Sequence, residues 1–474
     1  MEAVALGRSV PLWVFLLCLI LWLLLTVLFG GLVKSKVSGS ELTGPIGNLV
    51  VKIASFPSLT ARTLAELAGI ASGGYRDEAY SVERDADADY SGFAPIKTAR
   101  DIALQGLLLR ADSERASPGW RVLVGAFAID GEARNAALLI SPELEVAKVW
   151  PLQEVATGKL QPRSNYKKFP HGFEILRDGS FIYTFDGSVS VQHETACGDS
   201  IWATDGRFTH TITLDDRSEY LWSLRDGTDL VQIAVADGSI KRDISVQQII
   251  DANPEVDILE LRRAHGNDPE RNRRNTTGFW LPDSLHLNDV EPLPAAFAPA
   301  FPSFKPGDLL VSARELNLLF VLDPETLRFR WWQVGLVIRQ HDPDWLPNGE
   351  ILVFNNRMAR DYSDIVAINP QTNQRRVVFD GRKNNFYSRI RGKVQKLEAG
   401  GLVVTSPQQG RAFEVDSDGR TVLDIVNTKP DDASVNYVVS EMKWLPPNYF
   451  DGDVPDCLAA ISDRVAQGEA RPTQ

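Results

Sequence analysis

Cysteine is scarce: 474 residues contain three, at Cys18, Cys197 and Cys457. No C-x-x-C pair or Cys/His metal spacing occurs, which argues against a zinc module. A Cys197–Cys457 disulfide is compatible with an oxidising compartment, but spacing alone does not establish it. Clustered basic charge is also missing. The formal net charge is −12 and the pI about 5.2, so nucleic acid and anionic lipid are poor general partners, because phosphate backbones demand grouped Lys and Arg. A local basic pocket for one small anion stays open. Histidine is sparse as well, with six residues in the chain, so any regular placement of them is informative.

Long apolar runs are absent save one. Val10–Val33, VPLWVFLLCLILWLLLTVLFGGLV, is free of charge and long enough to cross about 30 Å of hydrocarbon as a helix. It exceeds an ordinary signal h-region and no clear A-x-A site follows, so an uncleaved anchor is the reading, with a cleaved signal peptide as the alternative. Arg8 on one side and Lys34 and Lys36 on the other leave the charge rule for orientation nearly balanced. Apolar residues at helical spacing follow in NLVVKIASFPSLTARTLAELAGI, suggesting a short helical stalk. The acidic stretch Asp77–Tyr90 reads as a solvated linker. The expected division is a tail over 1–9, an anchor over 10–33, a helical and linker stalk over 34–94, a β domain over 95–450 and a C-terminal tail over 451–474.

From about residue 95 short apolar runs alternate with turn chemistry. EILRDGSFIYTF, WLPNGEILVF, LEAGGLVVTS and VDSDGRTVLDIV each carry Asp-Gly, Asn-Gly or Gly-Gly between strands, dipeptides suited to the positive φ of tight hairpins. A second type alternates with these, with Asp-Pro or Asn-Pro in the turn: LFVLDPETLRFRWWQV and IVAINPQTNQRRVVF, and a weaker copy in ALLISPELEVAKVW. Two hairpin types in alternation make a four-stranded meander. The repeat of roughly 40–55 residues marks an all-β propeller, of six to eight blades over about 350 residues. A β-sandwich array is the structural alternative. Residues 246–280 interrupt the pattern and read as a charged helical insert. They include a formal glycosylation sequon at Asn275–Thr277.

In a propeller the first strand of each blade lines the central channel. His171 opens HGFEILRDGSF, His210 opens HTITLDD, His286 lies in DSLHLNDVEPL and His341 opens HDPDWLPNGEILVF. These four share one phase of the repeat. A single histidine beside a turn is ordinarily a capping or solvated residue, but four in register point to one axial site. His193 falls on the other hairpin type and His265 in the insert, which suits structural or surface roles. Asn288, two residues beyond His286, is expected to face the same way on an extended strand. Arg314 ends an apolar strand. Its plain reading is a surface arginine paired with Glu315; its functional one is a planar fork of donors for a sulfate-like or phosphate-like oxyanion. Neutral imidazole is nucleophilic near pH 7, and no cofactor or metal is required for group transfer through it.

DSLHLNDVEPL, GDLLVSARELNLLFVLDPETLRFRWWQVG and QHDPDWLPNGEILVFNN resemble the bacterial aryl sulfotransferases that use no nucleotide sulfate donor. VQKLEAGGLVVTSPQQGRAFEVDSDGRTVLDIVN is similar to that family's closing blade, and RFTHTITLDD to an upstream histidine-bearing one. The resemblance spans about residues 120–450 and implies six blades and an extracytoplasmic, usually periplasmic, domain, hence a cytoplasmic N-terminus. It implies ping-pong sulfuryl transfer from a phenolic sulfate ester to a phenolic acceptor. His341 would be the nucleophile, His286, Asn288 and Arg314 would hold the sulfuryl oxygens, and His210, or His171 in its stead, would move the proton. The sequence departs from the family in reading Thr-His-Thr around His210, where paired histidines are expected, and in lacking an obvious N-terminal β domain. The competing reading is a non-catalytic anchored propeller that binds a small anion, a glycan or a protein. A quinone-dependent dehydrogenase would share the fold, but tryptophan-docking repeats and a calcium-binding carboxylate set are not evident.

Overall fold

A computed structural model describes residues 11–37, 49–50, 53–54, 81–85, 88–99, 102–158, 160, 169–186, 188–261, 263–264, 279–280, 284–358 and 360–452. The chain divides into two compact units, residues 1–74 with 263–281, and residues 75–262 with 282–474.

The first unit contains a helix, Leu12–Val37, and a pairing of Arg263–Ala264 with Phe279–Trp280. The helix begins two residues after the expected anchor and runs four beyond it. It is long and apolar enough to cross a membrane, and Leu12, Trp22 and Leu25 are among its exposed side chains. His265 and the sequon lie outside the described residues.

The second unit is a six-bladed propeller. Blades 2 to 5 are antiparallel four-stranded meanders that begin, innermost, with Pro170–Ile175, Phe208–Leu214, Leu287–Pro292 and His341–Trp345. Blade 6 begins with Lys393–Lys396 and gains Leu107–Ala111 beyond its fourth strand, Thr421–Asn427. Blade 1 takes its innermost strand, Val439–Leu445, from the far end of the chain and pairs it with Trp120–Ile129. The ring is thus closed in blade 1 by Val439–Leu445, while Leu107–Ala111 adds a fifth strand to the outer edge of blade 6. The stretch expected to be a solvated linker takes part: Ser81–Glu83 pairs with Val435–Tyr437, because a strand here covers backbone that would otherwise stay unpaired.

The turn markers act through a specific geometry. In Leu176–Ser180 the Gly179 N–H donates to the Leu176 carbonyl, and Leu176 N–H to Ser180. Gly179 alone takes positive φ, +83°, while Asp178 Oδ1 accepts from the Ser180 N–H. Asn348-Gly349 repeats the arrangement, with φ +84° at Gly349. These two hairpins are glycine-bulge turns in which Asp or Asn caps, whereas at Asp130-Gly131 and Asp226-Gly227 the Asp itself takes positive φ, +53° and +55°.

Apolar clusters fill the spaces between adjacent blades. One packs Val353 and Val366 against Leu310 and Val321; another packs Phe354 and Phe386 against Val404 and Phe413. Arg121 and Glu414 meet at 2.8 Å between blades 1 and 6, each 1% exposed. The first part of the expected insert, residues 246–261, contains a helix, Val246–Ala252, with a Ser245/Gln248 capping box, and a 3-10 turn at Ile258–Glu260. Phe386 is buried, whereas Trp332 on an outer strand is 40% exposed and does not belong to the core.

Candidate active site

The innermost strands all start at one end of the channel, and there the four histidines meet. His341 is the first residue of its strand, His171 the second of its own and His210 the third, while His286 immediately precedes Leu287. The ladders slip at this level: registers shift between Thr209 and Ile212, between Leu287 and Asp289, and between His341 and Pro343. His210 and His286 adopt positive φ, +71° and +49°, and Asp342 +52°. Bulges of this kind re-aim side chains that a regular strand would send to alternate faces, and backbone strain of this sort is held only where packing over-determines it.

His210 Nε2 lies 3.0 Å from His286 Nε2. The His171 ring packs 4.4 Å, centre to centre, from that of His210. Thr209 Oγ1 sits 2.9 Å from His210 Nδ1 and donates to Asp186 Oδ1 at 3.3 Å. His341 Nδ1 is 2.8 Å from Asn356 Oδ1, and the Arg391 backbone N–H donates to its Nε2 at 3.3 Å. The Arg391 guanidinium stacks 3.6 Å above the Phe169 ring. Arg314 donates to Glu315 at 2.9 Å, and Arg339 also contacts that carboxylate. The Arg314 backbone N–H donates to the His286 carbonyl at 3.1 Å, which sets this residue at the level of the histidines, and its charge lowers the His341 pKa.

Burial, then the Arg314 charge, holds His341 well below the ordinary imidazole range. Burial does the same to His171, helped by Arg391, and to His210, helped by His171 and His286. These rings are neutral at pH 7 and able to use a lone pair. His341 is 4% exposed, but its neighbours are polar and cationic rather than an apolar cluster.

The expected residues therefore converge, with two adjustments. Asn288 donates to the Gln340 carbonyl at 2.7 Å, so one amide hydrogen ties the His286 strand to the residue before His341 rather than facing a ligand. His171 and His210 lie side by side, and it is His210 that bonds to His286. His193 bonds to Ser180 at 3.0 Å on the third strand of blade 2, away from the channel. Cys197 is disulfide-bonded; Cys457 lies outside the described residues.

Residues 172–428 match the family model for arylsulfotransferases (ASST), more than half of the chain. The chain belongs to the arylsulfotransferase family. No curated protein matches it. Among solved structures it is similar to a protein of unknown function from Bacteroides caccae, with 14% identity over 68% of this chain and 98% of that one and a TM-score of 0.42. It is also similar to a streptogramin B lyase, with 10% identity over 77% of this chain and 98% of that one and a TM-score of 0.37. Nothing about activity follows from either likeness.

The arylsulfotransferase match contains His210, His286, Asn288, Arg314 and His341, and begins one residue after His171. Sequence reasoning missed Asp186, Asn356 and Arg391. The first two share a signal with Arg314: each immediately follows the second strand of its blade, after Phe185, Asn355 and Ala313. The end of that strand lies beside the start of the innermost one, as Phe185 pairs with Pro170, Ala313 with Leu287 and Phe354 with His341. Further along the same innermost strands the lining changes to Glu174, Glu291, Asp342, Asp344 and Glu441, with Lys393 and Lys443, around a cavity of about 760 Å³. Lys393 binds Asp342 at 2.7 Å. Among the described residues, no group of three or more His, Cys, Asp or Glu is arranged to hold a metal ion.

Proposed function

We propose that this arylsulfotransferase moves a sulfuryl group from a phenolic sulfate ester to a phenolic acceptor in two steps through a sulfohistidine at His341. The observation that carries the proposal is the meeting of four histidines from four blades at one end of the channel, with Arg314 tied by its backbone to His286. In the first step His341 Nε2 attacks sulfur; the N–S bond forms, the ester S–O bond breaks, and the phenolate leaves with a proton from the His210–His286 pair. In the second the acceptor oxygen attacks the same sulfur, the N–S electrons return to Nε2, and the phenolic proton passes to that histidine pair. Splitting transfer through a nucleophile replaces one hard displacement by two easier ones. Charge on the sulfuryl oxygens is stabilised by Arg314 and the imidazole N–H groups, which are worth most in a pocket that excludes water. His286, the least buried of the four rings, marks the side from which substrate enters.

The helix Leu12–Val37 anchors the enzyme in this reading, with the N-terminus cytoplasmic and the propeller extracytoplasmic, in the periplasm. A disulfide at Cys197 suits that compartment.

The test is phenolate release from a chromogenic phenyl sulfate by the full-length protein, with and without a second phenol, beside His341→Asn. Acceptor-dependent release that is lost in the variant supports the proposal. A folded protein that releases nothing across a broad donor and acceptor set overturns it in favour of a binding-only propeller.

A further inference from the structure

We propose that Asn356 sets the tautomer of His341, keeping the ring proton on Nδ1 and leaving Nε2 as the attacking atom. The inference rests on the sulfohistidine reading for its consequence but on hydrogen bonding for its substance. Asn356 is fully buried. Its amide nitrogen donates to two backbone carbonyls, Ser388 at 2.8 Å and Arg391 at 2.5 Å. Carbonyls only accept, so the amide cannot be reversed, and Oδ1 must be the atom 2.8 Å from His341 Nδ1. An amide oxygen only accepts in turn, so Nδ1 must carry the hydrogen.

The other face of the ring agrees independently. The group at Nε2 is the Arg391 backbone N–H, 3.3 Å away, which can only donate; Nε2 must therefore be bare. The same short segment, residues 388–391, supplies both the carbonyls that orient Asn356 and the N–H that reads the ring's other nitrogen. Ser363 adds to the bracing, donating to the Asn356 carbonyl at 3.2 Å and accepting from the Ser388 N–H at 3.0 Å. With the opposite tautomer the lone pair would lie on Nδ1, pressed against Oδ1 of Asn356 and unable to reach sulfur.

An amide serves the chemistry in a second way. Once Nε2 bonds to sulfur, a ring that keeps its Nδ1 hydrogen is cationic, and a cationic imidazole leaves sulfur more readily than a neutral one. Asn356 Oδ1 is too weak a base to remove that proton, so the sulfohistidine stays reactive until the acceptor arrives. Asn356 is a positioning residue in this scheme: it touches His341 and not the substrate.

The experiment uses full-length protein labelled with 15N-histidine, with the His341 signal identified by its loss in His341→Gln. The nitrogen–proton couplings of His341 should report the Nδ1–H tautomer at neutral pH; an Nε2–H ring would overturn the proposal. Asn356→Ala removes the acceptor at Nδ1 and also frees the Ser388 and Arg391 carbonyls that the amide holds, so it should loosen both constraints, release the ring toward Nε2–H and lower kcat by about 100-fold or more, as a mis-set catalytic tautomer does elsewhere. The same tautomer with kcat within about threefold of wild type would refute positioning. Asn356→Asp keeps an acceptor but adds charge, so it should move the acidic limb of the kcat/KM profile to higher pH, and an unmoved limb counts against the proposal. If Asn356→Ala does not fold, the wild-type tautomer and the Asn356→Asp profile still decide. An Nδ1–H ring in a protein that transfers no sulfuryl group would uphold the positioning and overturn the sulfuryl reading instead.

Discussion

Replacing Arg314 by Met separates catalysis from folding in a way few changes at this site can. The folding cost is expected to be small. Arg314 is bound to Glu315, but Arg339 binds the same carboxylate, so Glu315 keeps a cationic partner. The pair is mostly buried, with Arg314 15% and Glu315 10% exposed, but Glu315 keeps a partner, so the loss should fall short of the roughly 3–5 kcal/mol of a buried charge left alone, and the methionine stem replaces much of the lost packing. The catalytic cost is expected to be larger. In the proposed mechanism Arg314 holds the sulfuryl oxygens as they gain charge, and its charge also lowers the His341 pKa. Removing one preorganised donor from such a site costs about 100- to 1,000-fold, or about 2.7–4 kcal/mol. A second effect has a definite sign. Arg314 holds the His341 pKa down, so its loss raises that pKa and shifts the acidic limb of kcat/KM to higher pH. Arg314→Lys should recover only part of the rate, because an ammonium lacks the planar fork of guanidinium. The assay is steady-state sulfuryl transfer from a phenyl sulfate over pH 4–9, paired with thermal unfolding. A variant with near wild-type kcat/KM and an unmoved acidic limb would refute the assignment of Arg314 to the sulfuryl group. A collapse in stability would refute the claim that Arg339 suffices for Glu315.

Burial first and Arg314 second hold the His341 pKa well below 6.5, so the neutral ring persists as pH falls through 6.5, and if His341 is the proposed nucleophile the acidic limb of kcat/KM should appear only below that value. A limb at or above 6.5 would contradict the burial argument. Glu414→Ala leaves Arg121 buried beside the Gly119 and Ser117 carbonyls without a counter-charge, so chemical denaturation should show a loss of about 3–5 kcal/mol. Gly392 has φ +121°, and a Cβ there would meet the buried Phe354 ring at 2.4 Å. Gly392→Ala should therefore lower Tm and, by displacing the neighbouring Arg391 N–H from His341, lower transfer activity as well.

The blades were legible because their turns are local. Asp178-Gly179 and Asn348-Gly349 declare a hairpin from adjacent residues, whatever the rest of the chain does. The ring closure and the added edge strand were not legible. Trp120–Ile129 meets Val439–Leu445, and Leu107–Ala111 meets Thr421–Asn427, across more than three hundred residues with no local signal at either end. The site divides along the same line. His341, His210, His286 and His171 could be placed because each occupies one phase of a repeat. Asn288 was assigned a direction from a period of two, and the shift between Leu287 and Asp289 removes that period at the position where it was used. Asp186 and Asn356 required the register of a hairpin whose strand ends could not be fixed to one residue, although Arg314, in the equivalent place, drew notice through its charge.

The polarity of the channel follows from the strands themselves. One set of innermost strands carries histidine at its start and carboxylate further on: His171 with Glu174, His286 with Glu291, His341 with Asp344. Burial and mutual repulsion push Glu291 and Asp344 well above the ordinary carboxylate range, and burial raises Asp289 to about 7. An anion in that half of the channel would meet more carboxylates, charged or competing for the same lysines, since Lys393 is bound to Asp342 and Lys443 to Glu174. The histidine half offers an anion Arg314, Arg391 and neutral rings instead. In the proposed function, the electrostatics of the lining would favour a sulfate ester at the histidine end. The Lys393–Asp342 pair, directly beside His341, marks where the sign changes. Lys393→Met should cost more than its loss of stability implies, because Asp342 would then present a carboxylate without a counter-charge next to His341. The variant should raise KM for the sulfate ester and move the acidic limb upward, as Asp342 comes to favour the imidazolium form of His341. A KM that stays put would mean that the two halves of the channel do not sense one another.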